Sequence, residues 1–242
     1  MTDSRDTLFD TLGDPGLFTF NDDVAGVFPD MIRRSVPGYS TVIAMTGILA
    51  ARHARPHTRI YDLGCSLGAS LMAAGKHVAP LPCELVGVDN SSAMITRCRA
   101  ALDAAGLALP TTLIEGDICD VPIDNASVVI MNYTLQFVPL DARTALLRRI
   151  REAMNPGDAL ILSEKIELTE PAMNDLMIDH YHDFKRAQGY SDLEVAQKRQ
   201  ALENVLIPES REIHRERLAH AGFSHSDVWF QCFNFASLIA IA

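Results

Sequence analysis

From about residue 58 onward, short apolar runs alternate with longer stretches whose apolar positions recur every three or four residues. The runs are Arg59–Leu63, Glu84–Val88, Thr112–Glu115, Ser127–Asn132 and Ala159–Glu164, and amphipathic stretches start near Leu67, Ser91 and Leu140. Such alternation predicts a parallel sheet, because parallel strands need a crossover between them and a helix supplies it. Upstream, the chain to about His57 reads as helices. Asn21-Asp22-Asp23 offers a cap, Pro29 can open a second helix, and Tyr39-Ser40 leads into a third, apolar through Ala50. After Glu164 the alternation stops: residues 171–204 read as two helices split at Gly189-Tyr190, with another near Ser210–His220. Ser224–Phe230 and Asn234–Ala242 then read as two strands that can pair antiparallel. The expectation is an α/β, doubly wound, mostly parallel seven-stranded sheet. A helical cap covers residues 1–57, and the domain over 58–242 carries a helical insertion at about 171–206, between the fifth and sixth strands.

Composition narrows the function. The formal net charge is −10, and the basic residues are scattered among acids rather than gathered in a stripe. Proteins that grip nucleic acid neutralise phosphates with clustered cations, so direct RNA or DNA binding is excluded and a small-molecule substrate is favoured. The five cysteines form no CxxC pair and no His-spaced metal pattern, which reads as buried free thiols of a reducing compartment and no metal site. No apolar run approaches the roughly 18 residues of a membrane span. The polar start, MTDSRDTLFD, does not read as a signal peptide, so a cytoplasmic location and no membrane contact are expected.

The candidate chemistry sits at strand ends. Tyr61-Asp62-Leu63-Gly64-Cys65-Ser66-Leu67-Gly68 reads as strand, Gly-rich turn and helix start, where glycines let a ligand approach the backbone and the helix presents free N–H groups. Another strand ends at Asp89, followed by Asn90, about 20 residues past the turn, the spacing of an acid that takes both ribose hydroxyls. A helix cap before Ser91 is the other reading of Asp89. Asp117-Ile118, after the third strand, can meet an adenine amino group and ring nitrogen; a polar turn residue is the alternative reading of Asp117, and Asp120 could equally serve as such a turn residue. Asn132 ends the fourth strand, where a satisfied loop amide is the alternative. Polar positions ending four successive strands together favour a nucleoside site at the sheet's carboxyl edge.

The turn and strand order resemble the Rossmann-like class I S-adenosylmethionine-dependent methyltransferases, with Ser66 in place of the usual middle glycine. That serine and several further stretches resemble a narrower family, the carboxy-S-adenosyl-L-methionine synthases. The stretches include Arg5–Phe9, Val27–Ile32, Arg34–Ser40, Thr134–Phe137, His182–Ala187, Gln197–Arg199, Leu202–Val205 and Trp229–Phe235, so the resemblance extends from one end of the chain nearly to the other. The resemblance implies that S-adenosyl-L-methionine and prephenate give carboxy-S-adenosyl-L-methionine, phenylpyruvate and water, and that a separate tRNA carboxymethyltransferase uses the product at a wobble uridine. It further implies a homodimer in which Arg199 of one subunit reads the new carboxylate in the other, and a place for Tyr39 at the methionine portion. A solvated helix arginine and a helix-entry aromatic are the plainer readings of these two residues. Departing hydroxide is expected to take the methyl proton, so no general base is assigned; His180 and His182, two apart on a helix, read as surface or packing residues. A conventional small-molecule methyltransferase and a nucleoside-binding scaffold protein are the competing functions.

Overall fold

The computed structural model describes residues 5–11 and 18–242; 1–4 and 12–17, parts of the expected cap, lie outside them. Five parallel strands form the centre: β1 (Arg59–Leu63), β2 (Glu84–Asp89), β3 (Thr111–Glu115), β4 (Ala126–Asn132) and β5 (Met154–Glu167). Crossovers run through α3 (Ala69–Val78), α4 (Ser92–Ala105) and α5 (Leu140–Glu152), preceded by α1 (Asp22–Ser35) and α2 (Tyr39–His53). Beyond β5 come α6 (Pro171–Ala187), α7 (Asp192–Leu202), β6 (Glu209–Ser210), α8 (Arg211–His220), β7 (His225–Cys232) and β8 (Phe235–Ile241). The strand order is β3-β2-β1-β4-β5-β8-β7, with β8 antiparallel to both its neighbours.

Two expectations are corrected. Pro29 lies inside α1 rather than opening a helix of its own. It removes one backbone bond, but the Asn21 side chain accepts the Val24 N–H at 3.0 Å, and Asp22–Asp23 and Arg33–Arg34 suit the two ends of the helix dipole. The sheet also has an eighth strand, the two-residue β6, which pairs parallel with the end of β5. A two-residue pairing leaves no apolar periodicity to detect, and it divides α6–α7 from α8.

Both faces of the sheet are covered, so both alternating sets of strand side chains are buried. Tyr61, Val86, Val129 and Leu160 pack with Leu146 and Ile150 of α5 and Leu218 of α8. Ile60, Leu85, Val128 and Ile161 pack with Ala50 of α2, Leu71 and Ala74 of α3, and Leu102 of α4. The carboxyl ends of β1, β2, β4 and β5 open toward one cleft beneath α1, α6 and α7. A buried knot ties that cover down: Lys198 Nζ donates to Asp6 (3.0 Å), Ser35 Oγ (3.0 Å) and Tyr190 Oη (3.2 Å). All five cysteines are free; Cys65, Cys83 and Cys98 are buried, while Cys119 and Cys232 are partly exposed rather than buried as expected. No described helix is long and apolar enough to cross a membrane.

Candidate active site

The turn after β1 is tightly constrained. Gly64 and Gly68 have φ of +83° and +81°, and a side chain would drive into Thr134 at the first and the Cys98 sulfur at the second. Ser66 adopts φ +46° between them, a left-handed conformation that costs a non-glycine residue about 1–2 kcal/mol. The Gly64 and Cys65 N–H groups both donate to the Val88 carbonyl, at 2.8 and 2.9 Å. Cys65 turns its thiol down against Cys98, and the hydrogen bond between the two thiols, followed by burial, pushes it far above the ordinary thiol range. What Cys65 offers the cleft is backbone.

The Ser66 N–H donates to Asp89 Oδ2, and Asp89 Oδ1 accepts from Ser91 N–H, each at 2.9 Å. Ser91, not Asp89, caps α4, accepting the Met94 N–H at 3.2 Å. Burial raises the Asp89 carboxyl against the pull of these two donors. Behind it, burial and the Asp89 charge push Asp62 up to about 8. Asn90 follows, exposed at the cleft.

Asp117 and Asp120 part company in the structure: only Asp117 lines the cleft, beside the buried Ile118. Its Oδ1 accepts the Cys119 N–H at 2.8 Å, and the carboxylate is otherwise exposed. Asn132 also lines the cleft, but its amide is engaged elsewhere. Its Nδ2 donates to Ser70 Oγ (3.0 Å) and Thr46 Oγ1 (3.3 Å), and its Oδ1 accepts from Ser163 Oγ (2.8 Å). Tyr133, next in sequence, has φ +62°, a second non-glycine residue held left-handed at the cleft wall.

Tyr39 opens α2 with its ring 6.2 Å from that of Tyr133, and burial pushes its phenol well above the ordinary range. Arg199 stands exposed on α7 at the cleft mouth of its own chain. All ten predicted positions, from Tyr39 to Arg199, thus line one cavity of about 1560 Å³. Phe18, Phe20, Phe28 and Phe137 supply an apolar wall.

The sequence reading missed Lys165, Tyr181, His182 and Lys185, which line the same cavity. His182, read as a surface or packing residue, is half-buried, and burial followed by the charges of Lys185 and Arg199 holds its pKa low. The signal was a stripe on α6: Asn174, Ile178, Tyr181 and Lys185, spaced by four, three and four, share the helix face that meets the cleft. Among the described residues, no cluster of three or more metal-ligating side chains occurs.

Residues 60–157 match the family model described as a methyltransferase domain. The carboxy-S-adenosyl-L-methionine synthase of Citrobacter koseri is 51% identical over 98% of this chain and 96% of its own. The chain belongs to the carboxy-S-adenosyl-L-methionine synthase family. The synthase of Aliivibrio salmonicida is 52% identical, covering 98% of each chain. Among solved structures, an O-methyltransferase family protein from Burkholderia thailandensis superposes with a TM-score of 0.65 at 14% identity, over 92% of this chain and 60% of that one. That likeness shows the class I methyltransferase fold alone; the chain spans about three fifths of that relative but nearly the whole of the synthases. The protein is an S-adenosyl-L-methionine-dependent enzyme of this family.

Proposed function

We propose that the protein converts S-adenosyl-L-methionine and prephenate to carboxy-S-adenosyl-L-methionine, phenylpyruvate and water. The 51% identity to the Citrobacter koseri synthase over 98% of the chain carries this reading. The cleft supports it, because about 1560 Å³ exceeds the roughly 300–1,000 Å³ of a single-ligand pocket and leaves room for two substrates together.

The residues fit the nucleoside. Each Asp89 oxygen has one protein donor and keeps a lone pair for a ribose hydroxyl, Asp117 has a free oxygen for an adenine amino group, and the Ile118 N–H stands beside it. The backbone at Gly64, Cys65 and Ser66, with Asn90, borders the sugar, while Tyr39 and Asn132 border the methionine portion. Arg199 offers a planar fork to the new carboxylate, reaching across from the partner subunit of a homodimer.

The sulfonium methyl supplies the carbon that gains CO2. Prephenate loses that CO2 from one ring carbon and hydroxide from the opposite one; the electrons of the broken C–C bond enter the ring as it becomes aromatic, and the hydroxide takes the methyl proton as water. The chain's part is to exclude bulk water and fix the two substrates against each other. His182 is a weak base here, since burial, and then the cations around it, hold its pKa below the usual value. In the cytoplasm the product serves a separate enzyme that carboxymethylates tRNA wobble uridine, so a chain of net charge −10 need not hold the RNA itself.

The test is a mass spectrum of protein incubated with S-adenosyl-L-methionine, with and without prephenate. A nucleoside heavier by one CO2, formed only with prephenate and alongside phenylpyruvate, is expected. Unmodified S-adenosyl-L-methionine despite prephenate would return the chain to the conventional methyltransferases.

A further inference from the structure

Two of the cations that line the cleft have no ion pair or hydrogen bond among the described residues. Lys185, on α6, is 4% exposed, yet among the described residues its nitrogen makes neither an ion pair nor a hydrogen bond. Its only close partner is the ring of Tyr181, 4.9 Å from Nζ to centroid. Lys165, at the end of β5, stands over the same ring at 5.3 Å, likewise unpaired among the described residues. Among the described residues the Tyr181 hydroxyl has no hydrogen-bond partner either, and all three side chains line the cavity. Lys185 is buried and Lys165 half-buried, and the nearest acids, Asp6 and Glu167, act on them only through space without an ion pair. Placing two ammonium groups so is costly, and chains normally pair such groups or leave them in water. An anion entering from the cleft would supply the missing partner. Tyr181 continues into an aromatic wall through Phe235 (5.1 Å) to Tyr133 (6.2 Å) and Tyr39 (6.2 Å), a surface suited to a six-membered ring.

We propose that Lys165, Lys185 and the Tyr181 hydroxyl form an anion subsite that seats the 2-oxo-acid carboxylate of the second substrate, the ring lying along the Tyr181–Phe235–Tyr133 wall. This rests on prephenate being that substrate. Prephenate carries two carboxylates, and the chemistry assigns them. The ring carboxylate must release its charge into the ring as CO2 leaves, and a close cation would hold it in place. The 2-oxo-acid carboxylate keeps its charge throughout and persists in phenylpyruvate. The lysines therefore grip substrate, transition state and product alike, and this kind of uniform binding is read in KM rather than kcat.

The experiment titrates prephenate and phenylpyruvate calorimetrically into wild type, Lys165→Met, Lys185→Met and Lys185→Arg saturated with S-adenosyl-L-homocysteine, which lacks the reacting methyl, alongside steady-state kinetics with S-adenosyl-L-methionine. Loss of a charged hydrogen bond predicts affinities for both acids about 10- to 100-fold weaker in each Met variant, a matching rise in KM for prephenate, and partial rescue by Arg. The affinity for S-adenosyl-L-methionine is expected to stay within about threefold, which separates loss of the subsite from loss of the fold. Unchanged phenylpyruvate affinity, or a loss confined to kcat, would overturn the assignment. If wild type binds both acids through the lysines but makes no carboxylated nucleoside, the reaction proposed above fails while the subsite stands. If wild type binds neither acid, the subsite fails.

Discussion

Asp89 clamps the turn after β1 to the turn after β2, its two oxygens accepting the Ser66 and Ser91 N–H groups at 2.9 Å each. One acidic side chain therefore sets the shape of the Gly-rich turn and still presents a lone pair from each oxygen to the cleft. Asp89→Ala deletes both functions. Hydrogen bonds to a charged group contribute about 1.5–3 kcal/mol each, so S-adenosyl-L-methionine affinity should fall at least about 100-fold in a calorimetric titration. An unchanged affinity would remove Asp89 from the nucleoside site.

What the sequence disclosed, and what it hid, follows from how far each feature reaches along the chain. Gly64, Ser66 and Gly68 form a local turn whose residue types report its backbone directly, and Asp89 follows from the period of the next strand. Lys165 was invisible because it lies one residue past the predicted end of its strand, and nothing local says that β8 and α6 enclose it. Lys185 looked like any solvated helix lysine; only the packing of α6 over the sheet's edge buries it. Asn132 shows the converse. The strand pattern placed it at the cleft, but Ser70, Thr46 and Ser163, each distant in sequence, hold its amide.

Ser66 at φ +46° occupies a conformation that glycine reaches without strain. Ser66→Gly relieves about 1–2 kcal/mol of strain and adds about 0.5–1 kcal/mol of chain entropy to the unfolded state. A net gain of roughly 0.5–1 kcal/mol is expected, a rise in Tm of about 1–4 °C for a chain of this size. A lower Tm would show that the serine hydroxyl holds the turn in a way its backbone bonds do not reveal.

Arg199 is exposed and has no ion pair among the described residues, so its removal should leave the fold intact. If it reads the new carboxylate, Arg199→Ala should erase the preference for carboxy-S-adenosyl-L-methionine over S-adenosyl-L-methionine, a loss of about 10- to 100-fold. Equal binding ratios in variant and wild type would exclude it from the site.

Burial holds the Lys185 ammonium down to about 7, helped by Lys198 and Lys165 and opposed by Asp6; His182 faces the same cluster. The group is charged below that pH, so KM for prephenate should be lowest at about pH 6 and rise as pH passes through 7. Lys185→Met should abolish the slope. The linkage to stability has the opposite sign to a paired lysine. Between the folded value and the unfolded value of about 10.4 the unfolded chain holds a proton that the folded chain lacks, so unliganded stability rises with pH across that window. A KM independent of pH in wild type would sink the prediction.

Arg143 is completely buried beneath the rim of the cleft. Its Nε donates to the Val138 carbonyl at 2.9 Å, one Nη to the carbonyls of Gln136 (3.1 Å) and Ile207 (2.9 Å), and the other pairs with Glu209 of β6. Burial raises the Glu209 carboxyl, but Arg217 and Arg143 together outweigh it and hold the group below the usual range. That stabilisation is present above the unfolded carboxylate pKa and is lost as pH falls through the folded one. Arg143→Met keeps much of the volume but strands three carbonyls and half the pairing of Glu209. Breaking a buried pair costs about 3–5 kcal/mol, so Tm should fall by roughly 10 °C at neutral pH. The deficit should shrink in acid, as pH falls far enough to protonate Glu209 in both proteins. Gln136 and Val138 line the cleft, so the same variant should also loosen its rim, and saturating S-adenosyl-L-methionine should raise its Tm less than that of wild type. A Tm within about 2 °C of wild type would show that Arg217 alone suffices to hold β6 against the sheet.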